Sequence, residues 1–168
     1  MLASQAAQAQ QAIWGLGRAK DGDSLMVGET EVRLFGVDAP EFDQTCTRAG
    51  QSWACGAVAA DQLMQLVTGK DVQCTSMGKD EHQRVLGRCT VNGVDVNQTM
   101  VARGYAVAYR RYSSDYAATE DSAKTAKLGV SCCFAEFLQR LEYERTSLRQ
   151  LEAAQLGHGA RQVGRGGA

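Results

Sequence analysis

Asp21, Asp23, Arg33, Asp38 and Glu41 fall within one short stretch, as DGDSL at 21–25 and VRLFGVDAPE at 32–41. Asp-Gly-Asp sets two carboxylates around a turn-permitting glycine. Hard cations such as calcium bind several oxygens, which carboxylates at turns and strand ends supply. Asp38 follows a strand-like run. If a hairpin brings Asp23 beside it, two carboxylates, waters and a backbone carbonyl make a weak calcium site. Arg33 lies among apolar residues, where a charge needs a partner or water. Glu41 follows Pro40, the chain's single proline, whose ring restricts Ala39 and fixes the turn. Together these groups meet the demands of phosphodiester hydrolysis. Guanidinium forks match phosphate oxygens, a cation neutralises developing charge, and a carboxylate activates water. Taken singly, each has a plain structural reading: an arginine paired with a structural aspartate, or an acid-rich turn with no site.

A second arginine is needed for such a site. Arg84 opens the run RVLGRCTV after the polar turn KDEHQ, and Arg88 is its rival four positions later. The elements that must position these groups follow from periodicity. Leu25–Val27 and Val32–Val37 read as strands joined by the 28–30 turn, a hairpin. A loop runs from Asp38 to Gly56. Residues 57–68 show helical spacing and end before Gly69. Val72–Thr75 and Val85–Val91 are two further strands, and Asn92-Gly93 is a turn. A short helix spans Asp95–Arg103, Tyr105–Tyr109 is extended, and a third helix runs from a cap at Ser113 or Ser114 to Leu128. The order predicts an α+β fold: a five-stranded oligonucleotide-binding-type β-barrel with three packed helices, plus a C-terminal extension. Its parts are an N-terminal tail over 1–16, the domain over 17–130, and a C-terminal helix and disordered tail over 131–168. Within the last, 134–152 is amphipathic and either packs on the barrel or forms a dimer contact; a monomer is otherwise expected.

The chain has 168 residues, 44% hydrophobic and 22% charged, with net charge −1. That balance gives no general basic surface for nucleic acid, so any such partner must be held by a local site. Six cysteines and two histidines include no C-x-x-C pair, so no zinc motif is present. Cys74 and Cys89 flank a charged turn, and Cys46 and Cys55 bracket a polar loop. Two disulfides, Cys46–Cys55 and Cys74–Cys89, would suit an oxidising compartment; the alternative is four reduced cysteines in a cytosolic protein. No apolar run is long enough to span a membrane. The opening MLASQAAQAQQA reads either as the end of an export signal or as a plain disordered terminus. Secreted or periplasmic location is the expectation attached to the first reading.

From about Gly17 to Gly129 the chain resembles the staphylococcal (micrococcal) nuclease family. The resemblance rests on DGDSL, VRLFGVDAPE, the helix after CG at 55–56, DEHQR before an apolar strand, VNQTMVARGYA, and AYRRY before the last helix. It implies calcium-dependent endonuclease action on DNA or RNA, leaving 3′-phosphate ends. It also assigns Glu41 as general base and Arg33 and Arg84 as phosphate-binding residues. Asp23 and Asp38 would ligate calcium with the Ala39 carbonyl, and Asp21 would sit close behind. Tyr109 matches a tyrosine near the nucleotide pocket. His82 stands where the family has an aromatic residue, so base contacts there would differ. The turn before Arg84 also lacks the family's glycine, which predicts a reshaped turn. The competing reading is a non-catalytic single-stranded nucleic-acid-binding module; a protein-interaction domain using 134–152 is a third.

Overall fold

A computed structural model describes residues 11–133. The elements are β1 (Ala12–Ala19), β2 (Ser24–Val27), β3 (Thr30–Leu34), β4 (Val37–Asp38), β5 (Cys46–Arg48), β6 (Gln51–Trp53) and α1 (Cys55–Val67). They continue through β7 (Asp71–Lys79), β8 (Val85–Val91), β9 (Val94–Asp95), α2 (Val96–Ala102), β10 (Val107–Ala108) and α3 (Ala117–Thr125) to a 3-10 turn at Gly129–Cys133. The sheet order is β3-β2-β1-β7-β8, and β8 closes on β3 in parallel, Arg33 opposite Leu86. The result is the expected five-stranded barrel with three helices.

Alternation fills the barrel. Leu25 and Val27, Val32 and Leu34, Val72 and Cys74, and Cys89 and Val91 are buried, as period-2 strands require. Ala59, Leu63 and Val67 of α1 and Met100 and Val101 of α2 cover its ends. Asp95, read as the first helical residue, is instead the N-cap of α2, accepting from the Gln98 N–H at 2.8 Å.

The 1–16 tail is corrected: β1 begins at Ala12 and pairs with both β2 and β7. Its hydrophobic pattern follows its burial only in part: Ile13 is buried in the core. Trp14 and Leu16 point outward, 66% and 63% exposed, while Gly15 and Gly17 meet neighbouring backbone. A Cβ on Gly15 would lie 2.6 Å from the Gly28 nitrogen, and one on Gly17 would lie 2.5 Å from the Val67 carbonyl oxygen. Close packing therefore demands glycine where the usual strand signal demands a large apolar side chain.

Other boundaries shift. The 38–56 loop contains the β5–β6 hairpin, and α1 starts at Cys55 rather than residue 57. The third helix is shorter than read. It starts after Tyr116 with no side-chain cap, because the Ser113 hydroxyl accepts the Asp115 N–H instead. It ends at Thr125, where the left-handed Lys127 (φ 53°) turns the chain. Both disulfides are present: Cys46–Cys55 closes the hairpin loop onto α1, and Cys74–Cys89 joins directly opposed residues of β7 and β8. The helix or dimer contact expected at 134–152 lies outside the described residues. No helix among the described residues is long and apolar enough to cross a membrane.

Candidate active site

The acidic turn between β1 and β2 is built by Asp21, whose Oδ1 accepts the N–H groups of Asp23 and Ser24 at 3.0 and 2.7 Å. Gly22 serves by its size: a Cβ there would sit 2.7 Å from the Ala39 Cβ and 2.9 Å from that of Ala59. The turn thus packs directly against α1 and the Asp38–Pro40 segment. Ser24 faces Arg33 across β2 and β3, which brings the Asp23 carboxylate beside that guanidinium. The pairing of β4 with β10 presents Asp38 to the same group.

Arg33 Nη2 lies 2.8 Å from Asp23 Oδ2 and 2.7 Å from Asp38 Oδ1. Both carboxylates are buried. The Ser24 hydroxyl and the Ala39 N–H also donate to Asp23. Burial pushes the Asp23 carboxyl up to about 7, with Asp38 and Asp21 adding to the shift and Arg33 opposing it. Burial works against the Arg33 charge but loses to Asp23, Asp38, Asp21 and Glu41, and its pKa is raised. All four carboxylates therefore act on one guanidinium.

Any cation held by Asp23 must displace a proton at low pH. Affinity for calcium should rise up to ~10-fold per unit as pH increases towards 7, then level off. Without metal, the contribution of Asp23 to stability is fully present below the ordinary carboxylate range and is lost as pH climbs to about 7. Calorimetric titration with calcium at several pH values checks the first point; a flat profile would rule out Asp23 as ligand.

Glu41 is exposed, with its backbone tied to Gln44 and its charge felt by Arg33. Arg84 precedes Leu86, the residue opposite Arg33, by two positions. It stands just before β8, whose first residue Val85 pairs with Val32 of β3. Asp80 anchors it, accepting from Arg84 Nε at 2.7 Å and from the backbone N–H groups of Arg84 and His82, both at 2.9 Å. These bonds outweigh burial and hold the Asp80 carboxyl below its ordinary value. Arg88 is committed elsewhere, paired with Asp115 and lying over the Phe35 ring at 5.7 Å. His82 is exposed at the turn tip. Tyr109 is tied through its N–H to the Gly36 carbonyl, its ring 4.7 Å from that of the exposed Tyr112. Sequence reasoning passed over Asp80, Gln44 and Gly56. An aspartate opening a polar turn is a side-chain-to-backbone signal that could have flagged Asp80.

The turn before Arg84 keeps a left-handed residue without glycine: Gln83 has φ 64°. That conformation costs a side-chain-bearing residue about 1–2 kcal/mol, partly offset by the greater unfolded-state entropy of glycine. Gln83→Gly should raise the melting temperature by roughly 2–4 °C, measured by thermal denaturation; no rise would mean the turn carries no strain.

Among the described residues, no group of three or more His, Cys, Asp or Glu side chains could hold a metal. The buried Asp23–Asp38 pair, fewer than three such groups, is instead occupied by the Arg33 guanidinium. The family model for staphylococcal nuclease homologues matches residues 31–130. An uncharacterized endonuclease of Escherichia coli is 35% identical over 58% of this chain and 61% of its own length. One from Haemophilus influenzae is 32% identical over 67% of this chain and 62% of its own. Endonuclease YhcR of Bacillus subtilis is 33% identical over 55% of this chain but only 8% of that protein. The chain thus spans about three fifths of the first two relatives. With the barrel, its acid–arginine cluster and a match over more than half its length, this chain belongs to the staphylococcal nuclease homologue family.

Proposed function

We propose that the domain is a calcium-dependent endonuclease that hydrolyses phosphodiester bonds of DNA or RNA and leaves 3′-phosphate ends. The observation that carries this reading is the Arg33 guanidinium, drawn to Asp23 and Asp38 and acted on by Asp21 and Glu41. One guanidinium nitrogen stands between two buried carboxylates, as a hard cation would. Two carboxylates, with the Ala39 carbonyl and Asp21 close behind, fit a weak calcium site. When bound, calcium would supply positive charge to a phosphate oxygen.

The protein's own groups do the rest. Arg33 makes both ion pairs through Nη2, and Arg84 is anchored through Nε. The remaining donors of each fork suit phosphoryl oxygens, whose charge grows in the transition state. Glu41 takes a proton from the attacking water. His82 and Tyr109 contact the flanking nucleotide. The two disulfides support an exported location, secreted or periplasmic.

The test is product chemistry. Given calcium and a 5′-labelled single-stranded oligonucleotide, the protein should yield fragments that a polymerase extends only after phosphatase treatment. Intact oligonucleotide at every calcium concentration would sink the nuclease reading.

A further inference from the structure

A general base works only if its carboxylate is held within a fraction of an ångström of the water it activates. Glu41 is exposed and lies in an irregular connection, where a side chain would ordinarily wander. Its main chain is nevertheless gripped on both sides. The Glu41 N–H donates to Gln44 Oε1 at 3.2 Å, and the Gln44 N–H donates to the Glu41 carbonyl at 2.9 Å. These two bonds close a ring over residues 41–44 and fix both peptide planes of Glu41.

Gln44 is itself held. Its side chain is buried, with the residue 7% exposed, and its carbonyl accepts the Gly56 N–H at 3.1 Å in the first turn of α1. The Glu41 carbonyl rests on Gly56 so closely that a Cβ there would lie 1.7 Å from the oxygen. Cys55 Sγ lies 3.5 Å from the Gln44 carbonyl, a contact only, since a disulfide sulfur carries no proton. The Cys46–Cys55 bridge then ties the segment just after Gln44 to the start of α1. A buried amide with its side chain on the base's own N–H, bracketed by a covalent bridge, is more than a loop needs for closure.

We propose that Gln44 is a positioning residue that holds Glu41 in its proton-accepting place, with the Cys46–Cys55 bridge holding Gln44 on α1. This rests on Glu41 being the base. Asn or Ser at 44 would not span the same gap, and a carboxylate would set a like charge beside the base.

The test is a double-mutant cycle in single-turnover cleavage of a single-stranded oligonucleotide, using Gln44→Ala and the near-isosteric Gln44→Met, each alone and with Glu41→Gln. Gln44→Met keeps the buried bulk while removing the amide oxygen, so it remains informative if Gln44→Ala unfolds. Each single variant should lower kcat roughly 10- to 100-fold with KM changed less than about twofold. On the Glu41→Gln background the same change should remove less than about a further twofold, because the partner it acts through is already gone. The Cys46→Ser/Cys55→Ser variant should lower kcat in the same way and show the same non-additivity. Folded Gln44→Met with wild-type kcat, or a full additional loss on the Glu41→Gln background, would overturn the proposal. Wild-type rate in Glu41→Gln alone would instead overturn the base reading on which it rests.

Discussion

Glu41→Gln should lower kcat at least ~10²-fold, the usual scale for losing a general base, while leaving fold and melting temperature near wild type. The change is close to isosteric, and Glu41 is exposed, with its backbone tied to Gln44. The amide keeps shape and some hydrogen bonding but cannot take a proton at neutral pH. KM should change little, because in the proposed mechanism phosphate binding falls to the arginines. Single-turnover cleavage with circular dichroism checks both parts. A folded variant cutting at the wild-type rate would move the base to another residue. The expected effect exceeds that of any single surface change because the proposed base would act on the reacting water rather than on substrate affinity.

Arg33→Met should also cost about 10²- to 10³-fold in kcat, the loss typical of removing one transition-state donor. Its effect on metal binding has the opposite sign. The Arg33 guanidinium occupies the space between Asp23 and Asp38 and is the cation both carboxylates contact. Removing it leaves a buried acid pair without its counter-charge. The metal-free variant should lose about 3 kcal/mol of stability, the order expected when one partner of a buried pair is deleted. At a pH above the Asp23 titration, calcium then no longer competes with the guanidinium for those oxygens. Its affinity should rise, and calcium should lift the variant's melting temperature more than the wild type's. Thermal melts with calcium or a chelator, alongside cleavage rates, distinguish the outcomes. Wild-type turnover, or calcium binding weakened by the substitution, would show that Arg33 is not the group facing phosphate and metal. For the wild-type protein, a chelator should abolish cleavage.

How much of this was legible beforehand depends on distance along the chain. The 21–25 and 32–41 segments are local, and their types and spacing already singled out the acids and Arg33. Cysteine spacing pointed to both bridges, because each pair closes a short loop or hairpin whose ends must meet. The Asn92-Gly93 turn was equally readable, since a tight turn is decided by neighbouring residues.

The tertiary structure decided what no neighbour could. Parallel closure of β8 on β3 brought the strand that follows Arg84 beside Arg33, and a parallel contact between distant strands leaves no mark in local periodicity. It is the ion pair with Asp115 and the contact with the Phe35 ring, formed through space, that commit Arg88 elsewhere. Strand β1 stayed hidden because, beyond the buried Ile13, glycines face its neighbours while Trp14 and Leu16 face outward, which masks the pattern that burial normally writes. The hold on Glu41 depends on Gln44, Gly56 and a disulfide meeting through space. Sequence alone therefore fixed which groups are available and which turns present them. Packing between remote segments fixed which of those groups meet, because burial and ion pairing act on neighbours in space, whatever their separation in the chain.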